Sequence, residues 1–514
     1  MLVTMVIPTF VLAKQIQPVT FVKQSKETCN PELKQTVFTP LGVTDFDPLV
    51  ENITVTVAIK EIRALKTIDI LSDPDFYVKV KINDNEFISD VWQNMKYVEN
   101  SNWTASSEVP KDKEFVNITI ELWDKNNGID HLCDISPDSG NFAQARTAEL
   151  TYSIATGIWW GRGDSLDDDN YLGDDYLGDP SGYGRLNGCD DNSIYQADRD
   201  CELWFNITQN DFDGDGLPYW LEVNMYNTSP LINNRGEDAD GDGVPIEWEY
   251  RYGLTYQEWG HDEGYYMVYS PLVWENHSAF DDDEDGLNNI EEYKTSQWGS
   301  DPFRKDIFVE LDQMAAGPNG EKASLFPEMG EDLLRDAFDR QNIFFHLDDG
   351  EMGGGEIIPF DIETPREELV LLYQDYFLHG DNNNWRKGVF HYGLLVYDAT
   401  YAGYFVNTDD NYWGAFQISS CRVDTHVYIT RANSYASVYM HELGHTLDIR
   451  IPGGHDTDSY YPWQINWWKY RPYKSCMNYG YTYKLVDYSD GSRGKNDHDD
   501  WGTLDLPAFQ INVE

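Results

Sequence analysis

With 514 residues the chain is long enough for three or four domains, each with a core of its own. Its 37 basic and 90 acidic residues leave a net charge of −53, which argues against nucleic acid as a partner. Beyond the N-terminus there is no run of about 18 apolar residues, the length a membrane-spanning helix needs.

The first thirteen residues, Met1 to Ala13, are apolar and end on a small side chain, as the core of a signal peptide does, although a basic start is missing. Residues 45–140 then alternate apolar and polar, in Ile53–Ile59, Tyr77–Ile82 and Val116–Leu122. That period predicts an antiparallel β-sandwich. Two of its turns are acidic: Ser72-Asp73-Pro74-Asp75, and Asp124-Lys125-Asn126 with Asp130 close behind. They resemble the first and third calcium loops of the synaptotagmin-type C-two domain. The resemblance implies calcium at Asp73, Asp124 and Asp130, with Asp75 and Asn126 as weaker ligands. The family usually reads Ser-Asp-Pro-Tyr, so Asp75-Phe76 is an insertion here. A membrane or cell-surface ligand is one partner the resemblance allows, but membrane binding does not follow from it, since many such sandwiches bind other partners. Residues 141–210 are rich in Gly, Asp and Tyr, repeat Tyr-Leu-Gly-Asp, and predict an irregular stretch.

Residues 211–300 carry a threefold pattern. Asp211, Asp213 and Asp215 are followed by Glu222; Asp238, Asp240 and Asp242 by Glu249; Asp281, Asp283 and Asp285 by Glu292. Each matches a calcium loop with acids at positions 1, 3, 5 and 12 and Gly at 6. The glycine allows the sharp turn, and the carboxylates supply the oxygens that a hard cation prefers. Without a cation, acids this dense would repel one another. Only short apolar pieces follow each loop, so single helical turns are expected. That resembles thrombospondin type 3 or dockerin repeats, and implies a spacer stiffened by calcium outside the cell.

Residues 303–514 predict an α/β domain: a strand over 305–312, a helix over 327–341, then strands over 342–347, 388–397, 414–419 and 426–430. A helix capped near Asn433-Ser434 then carries His441-Glu442-Leu443-Gly444-His445. Histidines four apart share a helix face and can hold one zinc ion, with Glu442 as the base beside it. Burying the same three groups without a cation would be costly. A third ligand from a later glutamate is very unlikely, because only Glu514 follows. Pro452-Gly453-Gly454 breaks the helix, making His455 the best third ligand, with Asp456 next and Asp458 open.

These residues, with Ser475-x-Met477-x-Tyr479, resemble the metzincin clan of zinc peptidases. The resemblance covers about the last two hundred residues and extends to secreted archaeal and bacterial peptidases with similar ends. It implies that Met477 forms an apolar floor under the metal and that Tyr479 approaches it. The clan's third ligand usually falls six residues after the second histidine; here His455 falls ten after His445, with Asp448 where a glycine is usual.

Six cysteines (29, 133, 189, 201, 421 and 476) allow up to three disulfides, and Cys189–Cys201 is the expected pair. Six glycosylation sequons, at Asn52, Asn102, Asn117, Asn206, Asn227 and Asn276, lie outside the last domain. Together these features predict a secreted zinc endopeptidase, acting on protein or peptide, on a calcium-rigidified stalk. The alternative is a calcium-dependent surface-binding protein with an inactive peptidase-like domain.

Overall fold

The structure, a computed structural model, describes residues 40, 42–69, 72–136, 146–161, 183–189, 199–257, 264–405, 414–451 and 453–510. The signal-like segment, Cys29, the Tyr-Leu-Gly-Asp repeat and Glu514 lie outside the described residues.

Two antiparallel sheets face each other in the N-terminal part. One combines β1 (Ile53–Ala64), β4 (Tyr97–Val98), β5 (Trp103–Val109), β10 (Tyr183–Asn187) and β11 (Cys201–Gln209). The other combines β2 (Phe76–Ile82), β3 (Asn85–Ile88), β6 (Phe115–Asp124), β7 (His131–Leu132), β8 (Ala148–Ser153) and β9 (Trp159–Gly161). Alternation sets the faces: Ile53, Val55, Val57 and Ile59 are buried between the sheets. The sandwich runs beyond 140, and β8 to β11 lie inside the stretch expected to be irregular. β11 pairs with β1 from Val55↔Gln209 to Ala64↔Cys201. Its residues Cys201 to Phe205 are all buried, so alternation is lost there.

The acidic segment packs onto this sandwich instead of standing apart. Leu217, Trp220, Tyr226, Ile246, Tyr250 and Tyr265 share its apolar core. Its elements are short: α1 (Tyr219–Leu221) running into a wider turn to Tyr226, α2 (Ile246–Gly253), the hairpin β12 (Leu254–Gln257) and β13 (Gly264–Met267), and α3 (Asn289–Thr295). α3 begins with a capping box between Asn288 and Glu291.

The C-terminal part is an α/β layer. β14 (Asp306–Met314), α4 (Glu328–Asp339), β15 (Phe344–Asp348), β16 (Ile357–Ile358), α5 (Arg366–Leu372), β17 (Phe390–Val396), β18 (Gly403–Phe405) and β19 (Ala415–Ser419) precede α6 (Ser420–Asp424), α7 (Arg431–Thr446) and α8 (Ile465–Lys469). The sheet order is β15-β14-β17-β19-β18, with β16 beside β14. All pairs are parallel except β18, the edge strand, which runs antiparallel to β19. Ile307, Val309 and Leu311 pack toward α4 and α7, while Phe308 and Leu394 pack toward α5. Burial on both faces is why residues 307–309 of β14 and 393–396 of β17 read as unbroken apolar stretches.

Two expectations fail here. Residues 426–430 form no strand; Val427, Tyr428 and Ile429 are exposed in the link between α6 and α7. Strand-like composition needs a ladder partner, and this link has none in the sheet. Thr430, not Asn433 or Ser434, caps α7, its hydroxyl accepting from the Asn433 N–H at 3.0 Å.

The expected Cys189–Cys201 disulfide is absent as well. None of the five described cysteines is bonded to another. The Cys189 thiol donates to Asp200 (3.5 Å), and Cys201 lies against Cys133 instead.

Sandwich and α/β layer meet through buried charge. The Arg63 guanidinium on β1 lies 3.2 Å from both Asp332 and Asp336 of α4. Arg335 returns the contact to Glu61 at 2.9 Å.

Candidate metal centres

α7 places His441 and His445 one turn apart, and Asp448, with φ of +51°, ends the helical path after Thr446. The glycine pair follows: Gly453 and Gly454 have φ of +158° and +94°. A left-handed Gly454 brings the chain back, and its carbonyl accepts from the Tyr479 N–H at 3.0 Å. His455 Nε2 thereby comes to 3.0 Å from His441 Nε2. One ring nitrogen from each of His441, His445 and His455 lies within 4.8 Å of the other two.

The donor set fits zinc. The Cys476 carbonyl accepts from His441 Nδ1–H at 2.8 Å, which leaves a lone pair on Nε2. Burial holds His441 down to about 3 and depresses His445 and His455 as well, so all three imidazoles are neutral. Three neutral nitrogens converging in a buried place are a donor set that zinc would fit, with room for a fourth ligand. Asp456 and Asp458 are exposed, and Asp458 accepts from Asn466 (2.7 Å).

Met477 is buried below α7. A Cβ on Gly444 would lie 2.7 Å from its sulfur, so only glycine lets the turn come this close. The Tyr479 ring covers His455, with centroids 4.2 Å apart, and Tyr460 stacks on it at 4.8 Å. Burial pushes the Glu442 carboxyl up to about 8. Two neighbours were not legible in the sequence. Phe405 of β18 stacks on His445 (4.5 Å, 19°). Gly403 lies so near Glu442 that a Cβ there would come within 2.6 Å of Glu442 Cγ. A three-residue edge strand leaves no periodic signal.

The three acidic loops share one construction. The position-1 aspartates accept from the glycine N–H at position 6: Asp211 from Gly216 (2.9 Å), Asp238 from Gly243 (3.1 Å), Asp281 from Gly286 (3.1 Å). At position 5, Asp215, Asp242 and Asp285 each accept from a later segment, through Asn234 (3.0 Å), Glu275 (3.2 Å) and Asp306 (2.7 Å). Buried oxygens of Asp213, Glu222, Asp240, Glu249, Asp283 and Glu292 have no hydrogen-bond partner. Burial and neighbouring acids push Glu222 up to about 8 and Asp283 up to about 10. Unpartnered buried carboxylates are what a divalent cation would satisfy.

In the sandwich the expected ligands separate. Asp124 groups with Asp69 and His131, and Asn126 donates to Asp124 at 2.7 Å. Asp130 instead accepts from Lys125 (2.9 Å) and Tyr77 (3.0 Å), and Asp75 accepts from the Asn94 N–H (2.7 Å). Asp73 is exposed. Lys125 stands at the carboxylate of Asp130, which groups apart from Asp124. Asp69 and His131 lie outside the two turns that carry the resemblance.

No protein-family description matches the chain, and no curated protein does. Solved structures similar to part of it are C2 domains. Human GIVD cytosolic phospholipase A2 aligns at 14% identity over 31% of this chain and 17% of its own, with a TM-score of 0.18. A structure described only as a C2 domain aligns at 13% identity over 31% of this chain and 98% of its own, TM-score 0.18. Calcium-bound extended-synaptotagmin 2, in a structure of two of its C2 domains, aligns at 12% identity over 31% of this chain and 46% of its own, TM-score 0.19. Overlaps this small carry no argument; the β-sandwich rests on its own strand pairing. Among the described residues, no helix is long and apolar enough to cross a membrane.

Proposed function

We propose that the chain is a secreted, zinc-dependent endopeptidase of metzincin type, braced by calcium. The observation that carries this reading is the meeting of His441, His445 and His455 nitrogens beside Glu442 on one helix. Zinc held by the three imidazoles would supply Lewis-acid polarisation of a peptide carbonyl. Glu442 takes a proton from the attacking water and returns it to the leaving amine. Tyr479 and Phe405 wall the imidazoles on two sides.

β18 supports a peptide as substrate. It closes the sheet next to Glu442, and an extended chain can add to an edge strand through backbone hydrogen bonds. Calcium would fill the first and third acidic loops, and the sandwich would use Asp124 and Asn126, with Asp69, to bind calcium and a membrane or cell-surface ligand.

The test is zinc content together with cleavage of casein or a quenched peptide. Glu442→Ala should keep zinc and lose at least about 100-fold in rate, the usual contribution of a general base. Wild-type cleavage by the variant would refute the mechanism. Zinc-loaded wild type that cleaves no peptide or protein would favour the inactive, surface-binding alternative.

A further inference from the structure

The second acidic loop differs from the other two in one respect. In the first, the position-12 Glu222 accepts from the Thr228 hydroxyl at 3.1 Å. In the third, Glu292 accepts from the Ser300 hydroxyl. In the second, Glu249 has no hydroxyl, and both of its carboxylate oxygens are buried without a hydrogen-bond partner. What faces it is an imidazole. His277 Nε2 lies 3.8 Å from Glu249 Oε1 and 3.1 Å from Asp242 Oδ2.

His277 is 1% exposed, and its Nε2 makes no hydrogen bond despite the short approach to Asp242. The ring is fixed from behind. Trp248, Tyr269 and Phe280 meet it edge-on, with centroids 5.2 to 5.8 Å away. Nδ1 lies 3.0 Å from the side-chain amide of Asn289, whose Oδ1 has no donor. Oxygen and nitrogen of an amide are interchangeable at such a site. With Oδ1 turned to the ring, Nδ1–H donates to it and Nε2 keeps a lone pair aimed into the loop. A lone pair against two carboxylates is repulsive unless a proton or a metal cation stands between them.

We propose that the second loop is a mixed nitrogen–oxygen centre, formed by His277 with Asp240, Asp242 and Glu249, that takes a zinc-class divalent cation in preference to calcium. One ligand atom each from Asp242, Glu249 and His277 already lie within 4.8 Å of one another. Asp240 adds a buried carboxylate with both oxygens free of hydrogen bonds. One imidazole and three carboxylates are a four-coordinate set suited to zinc. Calcium wants six to eight oxygens, and here an imidazole enclosed by three aromatic rings takes the place that oxygen ligands or water would fill. The first and third loops keep a hydroxyl at that place and remain oxygen sites. The proposal rests on reading these segments as cation loops, and does not depend on peptidase activity.

The test uses the full chain dialysed against zinc with calcium in large excess, followed by metal analysis. Wild type should retain about two zinc equivalents, and His441→Ala/His445→Ala about one, with one site left in the second loop. Adding His277→Gln to that double variant should remove the last equivalent. Excess calcium should not displace zinc from the double variant, a measurement that needs no change at His277. A double variant that holds no zinc, or that yields its zinc to calcium, would overturn the proposal. So would a folded triple variant, His277→Gln added to the double variant, that keeps its zinc. If instead wild type and double variant both hold one equivalent and His277→Gln removes it, the second loop stands and the zinc site on α7 fails.

Discussion

Gly403→Ala puts one methyl group where the structure has least room for it. The new Cβ would lie 2.6 Å from Glu442 Cγ and 2.7 Å from Cδ, against an ordinary contact of at least 3.4 Å. The shortfall is 0.8 Å at Cγ. Glu442 is on a buried helix and Gly403 on a short edge strand, so the two must separate by about that distance. Misplacing a catalytic group by about 1 Å costs about 100-fold in rate, or about 2.7 kcal/mol of transition-state stabilisation. Expected is a fall in kcat/KM for a quenched peptide of about 10- to 100-fold. Bound zinc should be unchanged, because the three atoms nearest the new methyl all belong to Glu442. Thermal stability should change little, because β18 is short and only half-buried. A variant with full activity would refute the placement of Glu442 as the base. One that loses zinc would show that the strand supports the metal and not the acid.

Further outcomes follow from other contacts. His455→Ala should lose zinc from the α7 site far more readily than Asp456→Ala, since His455 Nε2 sits 3.0 Å from His441 Nε2 while Asp456 is exposed; metal analysis after dialysis decides it. Burial pushes Glu114 up to about 7 from 4.5, so the folded state favours its protonated form. Its contribution to stability is full below pH 4.5 and is lost as pH rises through about 7. Glu114→Gln should therefore flatten the fall in melting temperature between about pH 5 and 8, and an unchanged slope would discount the effect. Selective calcium chelation should speed nicking within 211–292, since the released acids repel; equal digestion with and without calcium would argue for a cation-free segment. Arg63→Ala removes the shared partner of Asp332 and Asp336, but Lys96 and Tyr97 still hold Asp336, so the loss should stay below the roughly 3–5 kcal/mol of a fully uncompensated buried pair, measured by denaturant unfolding.

What could be read from the sequence was the chemistry carried by short spacings. HELGH needs only a helix to bring two imidazoles together, and the acidic loops need only a turn. His455 was legible because a glycine pair precedes it. Parts that depend on distant pairing were not. Gly403 and Phe405 reach Glu442 and His445 only after β18 joins β19. His277 carries no motif, and comes to the second loop through the segment after β13. The second half of the sandwich was hidden because burial of successive residues in β11 erases alternation. Asp130 kept the spacing of a ligand, yet Lys125, five residues before it, claims its carboxylate.

The clasp at position 5 bears on why the acidic loops matter to the α/β layer. Each position-5 aspartate is held by a backbone N–H from beyond its own loop, so each loop closes on the element that comes next. For the third loop that element is β14, since Asp306, its first residue, donates to Asp285. Leu287 of the same loop is buried in the core with Phe308 and Leu394. Gly286 meets Gln510, whose side chain donates to the Gly286 carbonyl at 2.7 Å. A cation among Asp281, Asp283, Asp285 and Glu292 would thus fix the start of the central strand. β14 pairs with β17, β17 with β19, and β19 packs under Tyr439 of α7 through Phe416. Among the described residues, the path from the third loop to His441 runs through paired strands and packed side chains. A segment built as a loose spacer would have no reason to bury its acids against the sheet. A cation here would belong to the frame that holds α7 and would not stiffen a separate stalk.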